Sequence, residues 1–83
     1  MKVTVRYFAS IREAIGTGQE AVETTAATLG ALRDELIARG GAHAASLARG
    51  KAVRMALAQT LSDESAALAE GVEVAFFPPV TGG

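Results

Sequence analysis

The chain has 83 residues, 49% of them hydrophobic, with a formal net charge of −1 and no cysteine. That describes one small globular domain; it excludes a disulfide framework, a zinc knuckle and a nucleophilic thiol, and the balanced charge argues against a nucleic-acid binder, which needs a basic patch. No run of about 18 apolar residues marks a membrane span, and the opening Met1-Lys2-Val3-Thr4 lacks the apolar stretch of a signal peptide, so a reducing cytoplasm is the expected compartment.

Residues 2–8 alternate, with Val3, Val5 and Tyr7 on one side and Thr4, Arg6 and Phe8 on the other. This predicts a strand whose first set faces the core and whose outer face carries Phe8. Ser10 and Glu13 have capping-box spacing for a short helix that Gly16 stops. After the Gly16-Thr17-Gly18 turn, residues 19–23 are expected to pair as a hairpin arm with Ala21 inward. Thr28 is the expected N-cap of the main helix, whose inner face is Leu29, Leu32 and Leu36 with Ile37 beside them. Arg33, Asp34 and Arg39 are assigned to its solvated face, and Gly40-Gly41 to its end. Gly30, in the first turn, weakens the helix slightly and is expected to let it approach the sheet closely.

Residues 42–51 read equally as a turn of helix or a loop. His43 has no second His, Cys or carboxylate at ligand spacing, and is read as a surface histidine. Val53, Met55 and Leu57 alternate with polar and small residues as a third strand, and Leu61 follows near its end. Asp63-Glu64 reads as a solvated turn, residues 66–68 as a further helical turn, and Glu70-Gly71 as a turn. Val72, Val74 and Phe76 then alternate with Glu73, Ala75 and Phe77 as the last strand, which Pro78 ends.

Strand, strand, helix, strand, strand on so short a chain predicts an α+β fold with one mixed sheet and the main helix on one face. Such an order resembles a ubiquitin-like β-grasp, with first and last strands adjacent and parallel. The domain is expected to span residues 1–80, with 81–83 as a flexible Gly-Gly tail. Pro78 and Pro79 stiffen its root, and Gly82 and Gly83 carry no Cβ, so the tip fits a narrow channel. From Val80 to Gly83 the tail reaches about 13 Å. Phe8 and Phe77 both face away from the helix, as a partner-binding patch at that root. Gly-Gly taken alone is most simply a frayed end.

The longer run Gly71-Val72-Glu73-Val74-Ala75-Phe76-Phe77-Pro78-Pro79-Val80-Thr81-Gly82-Gly83 resembles the C-terminal signature of the small, sulfur-carrying subunits of molybdopterin synthase. The stretch from Val5 to Glu13, Val5-Arg6-Tyr7-Phe8-Ala9-Ser10-Ile11-Arg12-Glu13, resembles the opening of the same family. That family usually has Asn-Gln at the end of the third strand, where this chain has Ala58-Gln59.

The resemblance implies a function. An activating, adenylating enzyme uses ATP to adenylate the Gly83 carboxylate, and sulfur from a donor replaces AMP to leave a thiocarboxylate. The carrier docks on the large catalytic subunit and donates that sulfur to a cyclic pterin precursor, forming the molybdopterin dithiolene. Gly82 and Gly83 are the reactive end. Phe8, Leu61, Phe77, Pro78, Pro79, Val80 and Thr81 are the partner-binding residues. The chain itself is expected to bind no metal or cofactor, no nucleic acid and no membrane. The alternatives are a β-grasp carrier for thiazole, cysteine or tRNA thiolation, a ubiquitin-like protein modifier, and an interaction module with an inert tail.

Overall fold

The computed structural model describes residues 1–79. Val80, Thr81, Gly82 and Gly83, and with them the expected tail, lie outside the described residues. The elements are β1 (Lys2–Tyr7), α1 (Ala9–Ile15), β2 (Gln19–Glu23), α2 (Leu29–Ile37), α3 (Gly41–Leu47), β3 (Arg54–Leu57), β4 (Thr60–Ser62) and β5 (Glu73–Phe77). They build one five-stranded sheet in the order β2-β1-β5-β3-β4. β1 and β5 are parallel neighbours at its centre, and every other pairing is antiparallel. The fold is the α+β β-grasp that the order of elements predicts.

Period-two alternation sets the inner face. Val3, Val5 and Tyr7 from β1, Val22 from β2, Met55 from β3 and Val74 and Phe76 from β5 are all buried, in one cluster with Ile11, Leu29, Leu32, Leu36 and Leu47 from the helices. All three helices therefore cover the same side of the sheet. Thr28 caps α2 as its sequence predicts, its Oγ1 accepting from the Ala31 amide at 3.2 Å. Gly16 ends α1 at φ 92°, a left-handed conformation natural to glycine.

Several local expectations are corrected. Val22, not Ala21, faces the core in β2, because it pairs with Val3 and must share its side. Ser10 does not cap α1: the helix starts at Ala9 with Phe8 at the N-cap, and no side chain caps it. Instead the Phe8 carbonyl accepts from the Ile11 and Arg12 amides, both at 3.2 Å. Residues 41–47 are a helix, packed by the fully buried Leu47. Residues 66–68 are not a helical turn but a strap across the start of α2, with Thr28 bridged to Ala67. β4 is an additional strand of three residues, joined to β3 through Ala58 and Gln59 at φ 49° and 68°.

Arg33 is the largest correction. It lies on the buried side of α2 at 4% exposure. Its Nε donates to the Leu47 carbonyl at 2.8 Å, and its Nη2 donates to the Ala48 and Lys51 carbonyls at 2.8 and 3.3 Å. Its Nη1 pairs with Glu64 Oε2 at 3.2 Å. A guanidinium carries five donors, and here it closes the C-terminal end of α3, whose carbonyls have no partner within the helix. Glu64, which also pairs with Arg49, is thus an ion-pair hub and not a free turn residue.

Candidate functional site

The register that buries one face of the sheet decides what the other presents. Arg6 lies opposite Ala75, Thr4 opposite Glu73, Arg54 opposite Phe77 and Ala56 opposite both Ala75 and Leu61. No helix covers these residues. Phe8 is 38% exposed and Leu61 63%, while Phe77 is half-buried. The structure thus brings Phe8, Leu61 and Phe77 together on the outer face, around one hollow of about 400 Å³.

The hollow exists because its floor is alanine. Ala56 and Ala75 are neighbours across β3 and β5, and their methyl groups leave room between the larger side chains around them. Arg6 and Glu73 line it on one side and Gln59 on another. The Arg6 guanidinium lies 5.2 Å from the Phe8 ring centroid, a cation–π contact, and 3.7 Å from Glu73. An apolar hollow with an aromatic rim, open to solvent, is suited to receiving a partner's side chain. It offers no paired acid and base.

Pro78 and Pro79 follow directly from β5 and are half-buried. The Phe8 amide donates to the Phe76 carbonyl at 3.2 Å, which ties the exposed aromatic to the strand leading into the prolines. Among the sequence-predicted site residues, Phe8, Phe77, Pro78 and Pro79 therefore share one end of the sheet, and Leu61 borders the same hollow from the edge strand, level with Ala56 and Ala75. Val80, Thr81, Gly82 and Gly83 lie outside the described residues.

The other polar cluster lies on the helical side. Glu20, opposite Val5 in β2, faces inward and accepts from Tyr7 Oη at 2.7 Å and from Arg39 Nη1 at 2.8 Å, with His43 Nε2 at 2.9 Å. Burial pushes the Glu20 carboxyl up, but the hydrogen bonds from Tyr7, Arg39 and His43 outweigh it and hold it at about 2. Burial, followed by the bond to Glu20, pushes the Tyr7 hydroxyl well above the usual phenol range. His43 is accordingly not a plain surface residue: it is half-buried, edge-on to Tyr7 at 5.9 Å. This cluster joins β1, β2, the end of α2 and α3, and is closed by its own partners. Among the described residues no group of three or more His, Cys, Asp or Glu side chains is placed to hold a metal ion, and no helix is long and apolar enough to cross a membrane.

The model of the ThiS family matches residues 5–83. The chain belongs to the ThiS family. The molybdopterin synthase sulfur carrier subunits of Haemophilus influenzae and Escherichia coli are each 42% identical to this chain over 81 residues, covering 98% of it and 99% of their own length. Among solved structures, SAMP1 from Haloferax volcanii superposes with a TM-score of 0.78 at 26% identity, with all of both chains covered. A chain of the protein–protein complex of subunits 1 and 2 of molybdopterin-converting factor from Helicobacter pylori gives 0.68 at 28% identity, again with full coverage.

For this ThiS-family chain, sequence reasoning located the aromatic rim by strand parity and Leu61 by resemblance. It missed the alanine floor and Arg6. Pairing of Ala56 with Ala75 depends on register, which alternation within single strands does not supply.

Proposed function

We propose that this chain is the sulfur-carrier small subunit of molybdopterin synthase, carrying its sulfur as a thiocarboxylate on Gly83. The observation that carries the reading is 42% identity, across almost the whole chain, to two sulfur carrier subunits of that enzyme. The outer-face hollow supports it, because a carrier without its own acid and base must work by docking. The large catalytic subunit is the partner. It is supported by the likeness to a chain from a complex of subunits 1 and 2 of molybdopterin-converting factor.

In the proposed cycle a Gly83 carboxylate oxygen attacks the α-phosphorus of ATP in an activating enzyme, and pyrophosphate leaves. Sulfur from a donor attacks the acyl carbon and AMP departs, leaving the thiocarboxylate. Its sulfur is softer and more nucleophilic than a carboxylate oxygen, and the two-stage acyl transfer divides a difficult step. The tail then enters the large subunit, where the thiocarboxylate sulfur bonds to a cyclic pterin precursor. Water then attacks the acyl carbon and breaks its bond to sulfur, which leaves the sulfur on the pterin, on the way to the dithiolene, and returns the Gly83 carboxylate. This chain supplies reach and positioning. The cytoplasm, where ATP and the precursor would be met, is the proposed compartment.

The test is reconstitution with the large subunit, the activating enzyme, ATP and a sulfur source. Deleting Gly83 withdraws the carboxylate by about 3.5 Å, beyond near-attack distance, and is expected to abolish product. Full activity of the shortened chain would refute the reading. Covalent conjugates of the intact chain to lysines, in place of sulfur transfer, would assign it instead as a protein modifier.

A further inference from the structure

Most arginines on the helical side have committed their donors: Arg33 to three carbonyls and Glu64, Arg39 to Glu20, and Arg49 to Asp34, Glu64 and the Gly30 carbonyl. Arg6 and Arg54, on the open face, have not. The Arg6 side chain makes no hydrogen bond among the described residues. Its Nε is buried without a partner, and its contact with Glu73, at 3.7 Å, is too long for one. Arg54 is exposed, and its side chain forms neither a hydrogen bond nor an ion pair among the described residues.

Their positions make this informative. Arg6 sits beside Ala75 on β1, and Arg54 beside Phe77 on β3, so the two flank β5 where it leads into Pro78. Strand spacing and rise put their Cα atoms about 12 Å apart. A partner that covers Phe8, Phe77 and Leu61 must also cover or border both guanidiniums. Covering Arg54 with apolar surface would leave its charge unpaired, and covering Arg6 would leave it one long ion-pair contact, to Glu73, with its donors unsatisfied; both are unfavourable. A carboxylate meets it in a two-pronged geometry that an ammonium could not offer in return.

We infer that Arg6 and Arg54 are the polar anchors of the docking face, and that the protein seated there sets a carboxylate against each, on either side of an apolar side chain that fills the Ala56–Ala75 hollow. The inference rests on the proposed docking to the large subunit and specifies the chemistry of that surface. A nucleic acid does not fit, since Glu73 lies beside Arg6 and Glu23 shares the face. Lys2, at the far end of the same face opposite Glu23, belongs to no anchor.

The experiment measures affinity of the full-length chain for the large subunit from the same organism at about 0.05 M and about 0.5 M salt. The variants are Arg6→Gln, Arg54→Glu, the double Arg6→Gln/Arg54→Gln, Phe77→Ala and Lys2→Glu. Thermal melts confirm that each is folded. Arg54→Glu and the double variant are expected to bind about tenfold or more weakly, and the double variant is expected to lose most of the parent's salt dependence. Lys2→Glu is expected to change affinity less than about twofold. If Phe77→Ala weakens binding about tenfold while the arginine variants bind as the parent does, the face docks but the arginines do not anchor it. If Lys2→Glu weakens binding as much as Arg54→Glu, the effect is general steering and the assignment fails. If no substitution on this face matters, the docking reading itself falls.

Discussion

Ala58 and Gln59 both take positive φ, 49° and 68°, in the two-residue turn that joins β3 to β4. Such a turn matches the twist of the paired strands, but a Cβ in the left-handed region costs about 1–2 kcal/mol, and asparagine or glycine relieves it. The Asn-Gln pair usual at this place in the resembling family has that physical reason. Ala58→Asn is expected to stabilise the chain by about 0.5–1 kcal/mol, read as a higher denaturation midpoint at unchanged m-value. A lower midpoint would show that the turn is not held this way. Glu20 gives a second prediction at this scale. Its carboxyl is lowered from an ordinary 4.5 to about 2, so its contribution is complete above about pH 4.5 and disappears as pH falls toward 2. Glu20→Gln is expected to cost about 1.5–3 kcal/mol at neutral pH and to flatten the acid limb of stability between those values. An acid limb unchanged in the variant would mean that Glu20 is not the group responsible.

The start of α2 shows how one element depends on another. The first amides of a helix lack partners within it. Here Leu29 N donates to the Ala66 carbonyl and Gly30 N to the Glu64 carbonyl, both at 3.0 Å, while Leu68 N returns a bond to the Ala27 carbonyl at 2.9 Å. The strap of residues 64–68 therefore occupies the helix N-terminus, and Gly30 admits this strap and not, as its sequence position suggests, the sheet. A Cβ there would stand 2.9 Å from Glu64 Oε1, 3.0 Å from its Cβ and 3.3 Å from its carbonyl oxygen. Gly30→Ala improves helix propensity by about 1 kcal/mol, but overpacking costs about 1–3 kcal/mol, so net destabilisation is expected in chemical denaturation. A gain in stability would show the strap to be loosely held. The sequence signals separate accordingly. Leu29, Leu32 and Leu36 were legible because a single period places them. The strap, β4 and α3 were not, because each has a single leucine (Leu68, Leu61 and Leu47) among small or polar residues, too little to show a period, and their positions are set by contacts far along the chain. Arg33 reads as a surface residue for the same reason: its carbonyl partners come from the end of α3.

At the scale of the whole molecule, the chain buries one face of a five-stranded sheet under three helices and leaves the other face open beside the strand that leads to the Gly-Gly end. The parity of β1 and β5 alone predicts this division, and the structure bears it out for Phe8 and Phe77. Leu61 joins them only because β4 folds back beside β3. In the proposed reading the folded body docks and the Gly-Gly end, which lies outside the described residues, carries the chemistry. In the proposed function the Gly83 carboxylate accepts sulfur. The most direct measurement is the intact mass of the chain after incubation with its activating enzyme, ATP and a sulfur donor, with fragmentation to locate the change. The account predicts a gain of about 16 Da, one oxygen replaced by sulfur, confined to Gly83. An unchanged mass with an active enzyme present, or a gain located at any other residue, would contradict it.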